Sequence, residues 1–189
     1  MTKQLTAVAL NWRHQLWLVL LVAASVAFSF GFACAVPLAA FGAVAALTLS
    51  RRDALLFIAA VWLANQIVGY GFLNYPWDAN SLAWGAALGI VALLATLAAR
   101  WTAFRLDRAG HAAVWCLAFL AAFAVYEGAL FVVAATALGG TEDFAPAIVG
   151  RIFSINALGF AGLIVLNRLG ATIGLAARIS LPLPARRHA

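Results

Sequence analysis

Six stretches of this chain are almost wholly apolar, and short polar segments separate them. The apolar runs fall at about 16–35, 37–50, 54–73, 82–100, 111–138 and 146–167. A helix needs about 20 mostly apolar residues to cross a bilayer, and five of the runs reach or approach that length. The second, which opens with Pro37, is short and is expected to lie tilted or partly re-entrant. The expected fold is all-α: an integral membrane bundle of six transmembrane helices over 16–176. A cytoplasmic N-terminal segment, 1–15, precedes it, and a basic cytoplasmic tail, 177–189, follows.

The breaks between runs carry helix-stop and turn residues. Pro37 ends the first helix, Arg51-Arg52-Asp53 the second, and the stretch from Asn74 through Tyr75, Pro76, Trp77 and Asp78 to Asn80 the third. Gly139 and Gly140, followed by Thr141, Glu142 and Asp143, end the fifth, and Pro146 suits the first turn of the sixth. Asn80 or Ser81 is expected to cap the fourth helix with a side-chain oxygen.

Charge then orients the runs. Lys3, Arg13, Arg51, Arg52, Arg100, Arg105, Arg108, Arg168, Arg178, Arg186 and Arg187 all fall on one side of the six crossings. The opposite turns carry Asp78, Glu142 and Asp143 and no Lys or Arg. The positive-inside rule makes both termini cytoplasmic, the arrangement expected in a bacterial inner membrane. Arg151 is the one exception, because it lies inside the sixth run.

Composition agrees: 66% of residues are hydrophobic and 10% charged, against roughly a quarter charged in a soluble domain. The net charge of +6 is spread over several loops. That pattern excludes a nucleic-acid surface, which needs one basic patch; the basic residues meet anionic lipid instead. Lys3 and Arg13 followed by an apolar run imitate a signal peptide. The run is too long for the usual 7–15-residue apolar region, so an uncleaved first helix is expected.

Small residues recur at spacing four: Ala23, Ala27, Gly31 and Ala35, then Ala39, Ala43 and Leu47, then Gly85 and Gly89. In lipid such stripes let helix backbones approach closely, within the bundle or against another membrane subunit.

Polar side chains within hydrocarbon are costly and therefore informative. Asn65 and Gln66 in the third run, Tyr126 and Glu127 in the fifth, and Arg151 and Asn156 in the sixth share the outer half. Almost nothing polar lies in the other half of these runs, which points to a pocket open outward and not to a channel. Glu127 and Arg151 form a structural ion pair, or contact a ligand, or Glu127 relays protons; the sequence leaves these open. Tyr70, Phe72, Tyr75, Trp77 and Trp84 gather at the outer mouth. They form part of an interfacial aromatic belt, and with Asp78 they suit a clamp for a flat molecule with polar edges.

Absences narrow the function. The only lysine is Lys3, so no retinal Schiff base forms in the bundle. His14, His111 and His188 lie near the cytoplasmic side, and Cys34 and Cys116 stand apart in apolar contexts. Neither set makes a metal, haem or iron–sulfur site. No P-loop occurs, so ATP would be hydrolysed by another subunit. The chain is not expected to be an enzyme or to hold a cofactor.

Pro37-Leu38-Ala39-Ala40-Phe41-Gly42-Ala43 and the alanine pair Ala23 and Ala27, in a chain of six short-looped spans, resemble a known family. It is the substrate-binding (S) components of energy-coupling factor transporters for vitamins and their precursors. The resemblance covers the chain in topology, and its local motifs are alanine-rich and generic. It implies capture of a small micronutrient from outside, with the loops at 35–37, 73–80 and 139–145 as a lid. It also implies docking of Ala23, Ala27 and Gly31 on a membrane coupling subunit, which works with two ATPases. Asn65, Gln66, Tyr70, Trp77, Asp78, Trp84, Tyr126, Glu127, Arg151 and Asn156 would then bind the ligand, a planar vitamin or vitamin precursor. Two other functions compete: a non-transporting accessory or assembly subunit of a larger complex, and a solitary proton-coupled carrier.

Overall fold

The computed structural model describes Trp12 and residues 15–27, 36–106 and 110–175, and among them there are helices and turns and no strand. The expectations at Lys3, Gly31, Cys34, Arg108 and the tail 177–189 lie outside the described residues. The helices in chain order are α1 (Gln15–Ala27), α2 (Leu38–Thr48), α3 (Arg51–Phe72), α4 (Ala79–Arg105), α5 (His111–Val133) and α6 (Pro146–Thr172). A π turn, Ala134–Leu138, continues α5, and a 3-10 turn, Thr141–Phe144, leads into α6. The helices α3, α4, α5 with its π turn, and α6 are each long and apolar enough to cross a membrane. Within the described residues α1 and α2 are shorter.

The short helix α2 is the centre of the molecule. Every residue of it except Thr48 is buried, and all four long helices pack on it. Its sequence explains why it can be surrounded. Ala39, Ala40, Gly42, Ala43, Ala45 and Ala46 keep its surface thin, so neighbouring backbones come close, which is how helices associate where lipid offers no hydrophobic drive. A Cβ on Gly42 would stand 2.5 Å from the Thr96 hydroxyl of α4. On α6, a Cβ on Gly159 would stand 2.8 Å from Pro37 Cγ, at the entry to α2.

A buried helix must satisfy its end groups from within the protein, because no water reaches them. Pro37 has no N–H, and the Leu38 N–H donates to the Val36 carbonyl at 2.7 Å. The Ala40 N–H donates to Asn156 Oδ1 of α6 at 3.2 Å. At the other end, Arg100 Nη1 of α4 donates to the carbonyls of Ala46 at 3.3 Å and Leu49 at 3.1 Å. A guanidinium there also complements the negative end of the helix dipole. Two side chains more than 50 positions away in sequence thus cap a helix that has no side-chain cap of its own.

The long helices are bounded largely by local chemistry. Ser50 caps α3 by accepting from the Asp53 N–H, and its hydroxyl donates back to Asp53 Oδ2 at 2.7 Å. The cap of α4 differs from the sequence expectation. Asp78, and not Asn80 or Ser81, holds that position, with Oδ1 accepting from the Ser81 N–H at 2.8 Å. Pro146 opens α6 as expected, and Gly139 and Gly140 take the positive φ values that end α5.

The α3–α4 pair uses the Gly85 and Gly89 stripe internally. Trp62 lies over Gly89, Gln66 lies over Gly85, and the Trp62 indole N–H donates to the Gly85 carbonyl at 2.8 Å. On α1, Ala23 and Ala27 face outward.

Candidate functional site

With about 1.5 Å of rise per residue, α2 is about 16 Å long, half the thickness of a bilayer core. Its C-terminal end lies at the arginine-bearing face, next to Arg51 and Arg100. Its N-terminal end therefore stops near mid-depth. Beyond it the surrounding helices have no central element to close upon, and a cavity of about 350 Å³ remains. Val36 and Leu38 form its floor, with Asn65 of α3, Leu88 of α4, and Tyr126, Glu127 and Leu130 of α5 on its walls. The other side is Ile148, Ile152, Ile155 and Asn156 of α6, and Asp143 and Phe144 of the 3-10 turn lie at the acidic end. From Ile148 to Ile155 the wall descends about 10 Å.

The lining is mostly aliphatic, so its few polar groups define the site. Glu127 is 9% exposed and Tyr126 7% exposed. Neither the Glu127 carboxyl nor the Tyr126 hydroxyl has a hydrogen bond or ion pair among the described residues, and both residues line the cavity. Asn65 is also buried, and its Oδ1 accepts from Gln66 Nε2 at 3.4 Å. Asn156 is buried but fully engaged: Oδ1 takes the Ala40 N–H and Nδ2 donates to the Ile152 carbonyl at 3.0 Å. It shapes the floor of the cavity more than it offers a free group.

Of the ten residues expected to bind a ligand, Asn65, Tyr126, Glu127 and Asn156 meet in this cavity. The other six are placed elsewhere. Gln66 lies in the α3–α4 contact against Gly85. Trp84 is half-buried against the core and close to Gly140. Tyr70, Trp77 and Asp78 form a separate cluster at the ends of α3 and α4. Trp77 packs on Tyr70 with ring centroids 4.7 Å apart, Tyr75 meets Tyr70 edge-on at 5.7 Å, and the Tyr70 hydroxyl lies 3.0 Å from Ser81 Oγ. The aromatic residues thus pack on one another and not over the cavity. Asn74, at a φ of 56°, makes the left-handed turn that folds this loop back.

Arg151 is exposed and does not line the cavity. No ion pair joins it to Glu127 among the described residues. The other half of α6 also differs from expectation. Asn167 is buried there, and its Oδ1 has no hydrogen-bond partner. Sequence reasoning missed Asp143 and the aliphatic wall of Ile148, Ile152 and Ile155. Their i, i+4, i+7 spacing marked one face of α6, but nothing in an apolar helix said which face turned inward.

Searches against protein-family models, curated proteins and solved structures give no match for this chain.

Proposed function

We propose that the chain is a membrane subunit that captures a small molecule in the cavity above α2. One observation carries this reading: a buried carboxyl and a buried hydroxyl, side by side in sequence, face a space large enough for a small metabolite and have no partner among the described residues. Burying such groups without a partner costs free energy. Ligand sites are typically apolar hollows of 300–1,000 Å³ with a few such groups.

The direction of capture follows from charge. The arginine-bearing end is cytoplasmic by the positive-inside rule, which puts the acidic end, with Asp143 at the cavity rim, outside. An outward hollow in a small bundle of this kind is the arrangement of an S component of an energy-coupling factor transporter. On that reading the chain delivers a scarce micronutrient inward with the help of a coupling subunit and ATPases in the bacterial inner membrane. The exposed Ala23 and Ala27 of α1 are its docking face.

An accessory subunit without a ligand is favoured by a different observation. Asn156, Gln66, Tyr70 and Asp78 all have hydrogen bonds or packing that hold the bundle together. Thermal melting of the purified protein against a panel of vitamins and their precursors separates the two. A ligand present at 100 times its dissociation constant adds about 2.7 kcal/mol of stability. One strong shift that disappears when Ile152→Trp fills the cavity supports capture. A flat panel from protein that melts cooperatively supports the accessory subunit.

A further inference from the structure

We infer that the ligand of this cavity is a small, largely apolar molecule bearing one positive charge, such as a protonated amine. The inference rests on the capture reading above and deepens it.

The charges on the cavity wall are of one sign. Glu127 stands on its α5 side and Asp143 at its rim, and no Lys, Arg or His is among the lining residues. Arg151 lies on the same helix as three of the wall isoleucines but is exposed and does not line the cavity. A carboxylate in an apolar hollow is stable only when a cation or strong donors meet it, and the described residues supply neither to Glu127.

An anionic ligand has an obvious alternative anchor, the N-terminal end of α2, since helix N-termini attract anions through free N–H groups. Here two of those donors are engaged and one position has none. Pro37 has none, the Leu38 N–H is bonded to Val36, and the Ala40 N–H is bonded to Asn156. The side-chain groups left unengaged on the wall are an acceptor, the Glu127 carboxyl, and the Tyr126 hydroxyl, which can accept or donate. The aliphatic walls from Leu88, Leu130, Ile148, Ile152 and Ile155 fit a hydrocarbon body. The arrangement is a single cationic head at Glu127 and an apolar remainder against α6.

The test uses the full chain in detergent and matched triads of probe molecules. Each triad puts an ammonium, a neutral hydroxyl or a carboxylate on one skeleton, with phenylethyl, naphthylethyl and cyclohexylethyl skeletons spanning the cavity's size. Titration calorimetry reads affinity. The expected result is an amine that binds about tenfold or more tightly than its alcohol, with no measurable binding of the carboxylate. Glu127→Gln should bring amine and alcohol to equal affinity while alcohol binding persists.

Equal affinity of amine and alcohol in the unaltered protein overturns the inference and leaves capture standing, as does preference for the carboxylate. An amine preference that survives Glu127→Gln overturns it too, because the charge would then be read elsewhere. If no skeleton binds to protein that melts cooperatively, the capture reading fails and this inference fails with it.

Discussion

The two halves of the bundle are built from the same four long helices but differ in what lies between them. In the arginine-bearing half, α2 fills the centre, and its backbone is closed at both ends by Asn156 and Arg100. In the acidic half no described helix fills the centre, and Glu127 and Tyr126 face a cavity with their polar groups unengaged among the described residues. The difference comes from the length of one helix. Had α2 been as long as α3, its upper turns would have occupied the space that Ile148, Ile152 and Ile155 now line. One half is closed by its own side chains and the other encloses open space.

Substitutions should therefore separate cleanly by half. The largest effect is expected at Asn156. Asn156→Leu leaves the buried Ala40 N–H without an acceptor and should lower stability by about 2–3 kcal/mol, read as a lower melting temperature in detergent. A loss no larger than that of an exposed control such as Leu158→Ala would break the contrast.

Next comes Arg100→Met, which keeps the length of the stem but removes the donor from the Ala46 and Leu49 carbonyls. A cost of about 1–2 kcal/mol is expected. Gly89→Ala should cost a similar or smaller amount, about 1 kcal/mol, because the new methyl meets the Trp62 ring at 2.7 Å. Both can be followed by chemical unfolding of the purified protein.

The smallest change in stability is expected at the cavity. Glu127→Leu removes a group that no described residue partners, so the melting temperature should stay the same or rise. A marked fall would reveal that the carboxyl supports the fold, and the division between the halves would be lost.

The sequence made the helix boundaries legible because they are written locally. Pro37, Pro146 and the Gly139–Gly140 pair each impose a backbone limit wherever the rest of the chain goes, whereas Arg51–Asp53, expected to end the second helix, is the first turn of α3 behind the Ser50 cap. It also made depth legible, since counting residues along apolar runs placed Asn65, Tyr126, Glu127 and Asn156 at one level. Rotation about the helix axis was not legible. A soluble helix shows its inner face through a polar outer one, but a helix bathed in lipid is apolar all round. Arg151, Gln66 and Trp84 were accordingly placed at the right depth but on the wrong side for the cavity. The caps of α2 could not be read either. Asn156 and Arg100 come from distant segments, and their partners are backbone groups that no side-chain pattern announces. Asp78 shows the same limit at short range: its carboxylate caps α4, where a ligand contact had been expected.

The enclosure of α2 has a consequence for how the molecule breathes. Amide protons exchange with solvent only when the backbone around them opens. Each long helix has one side against lipid or detergent and ends that can fray. All residues of α2 but Thr48 are enclosed by protein, with side-chain bolts at both ends. Helices this short are ordinarily the first to come apart. In this molecule the shortest helix should instead hold its deuterium label longest, and lose it only when the whole bundle unfolds.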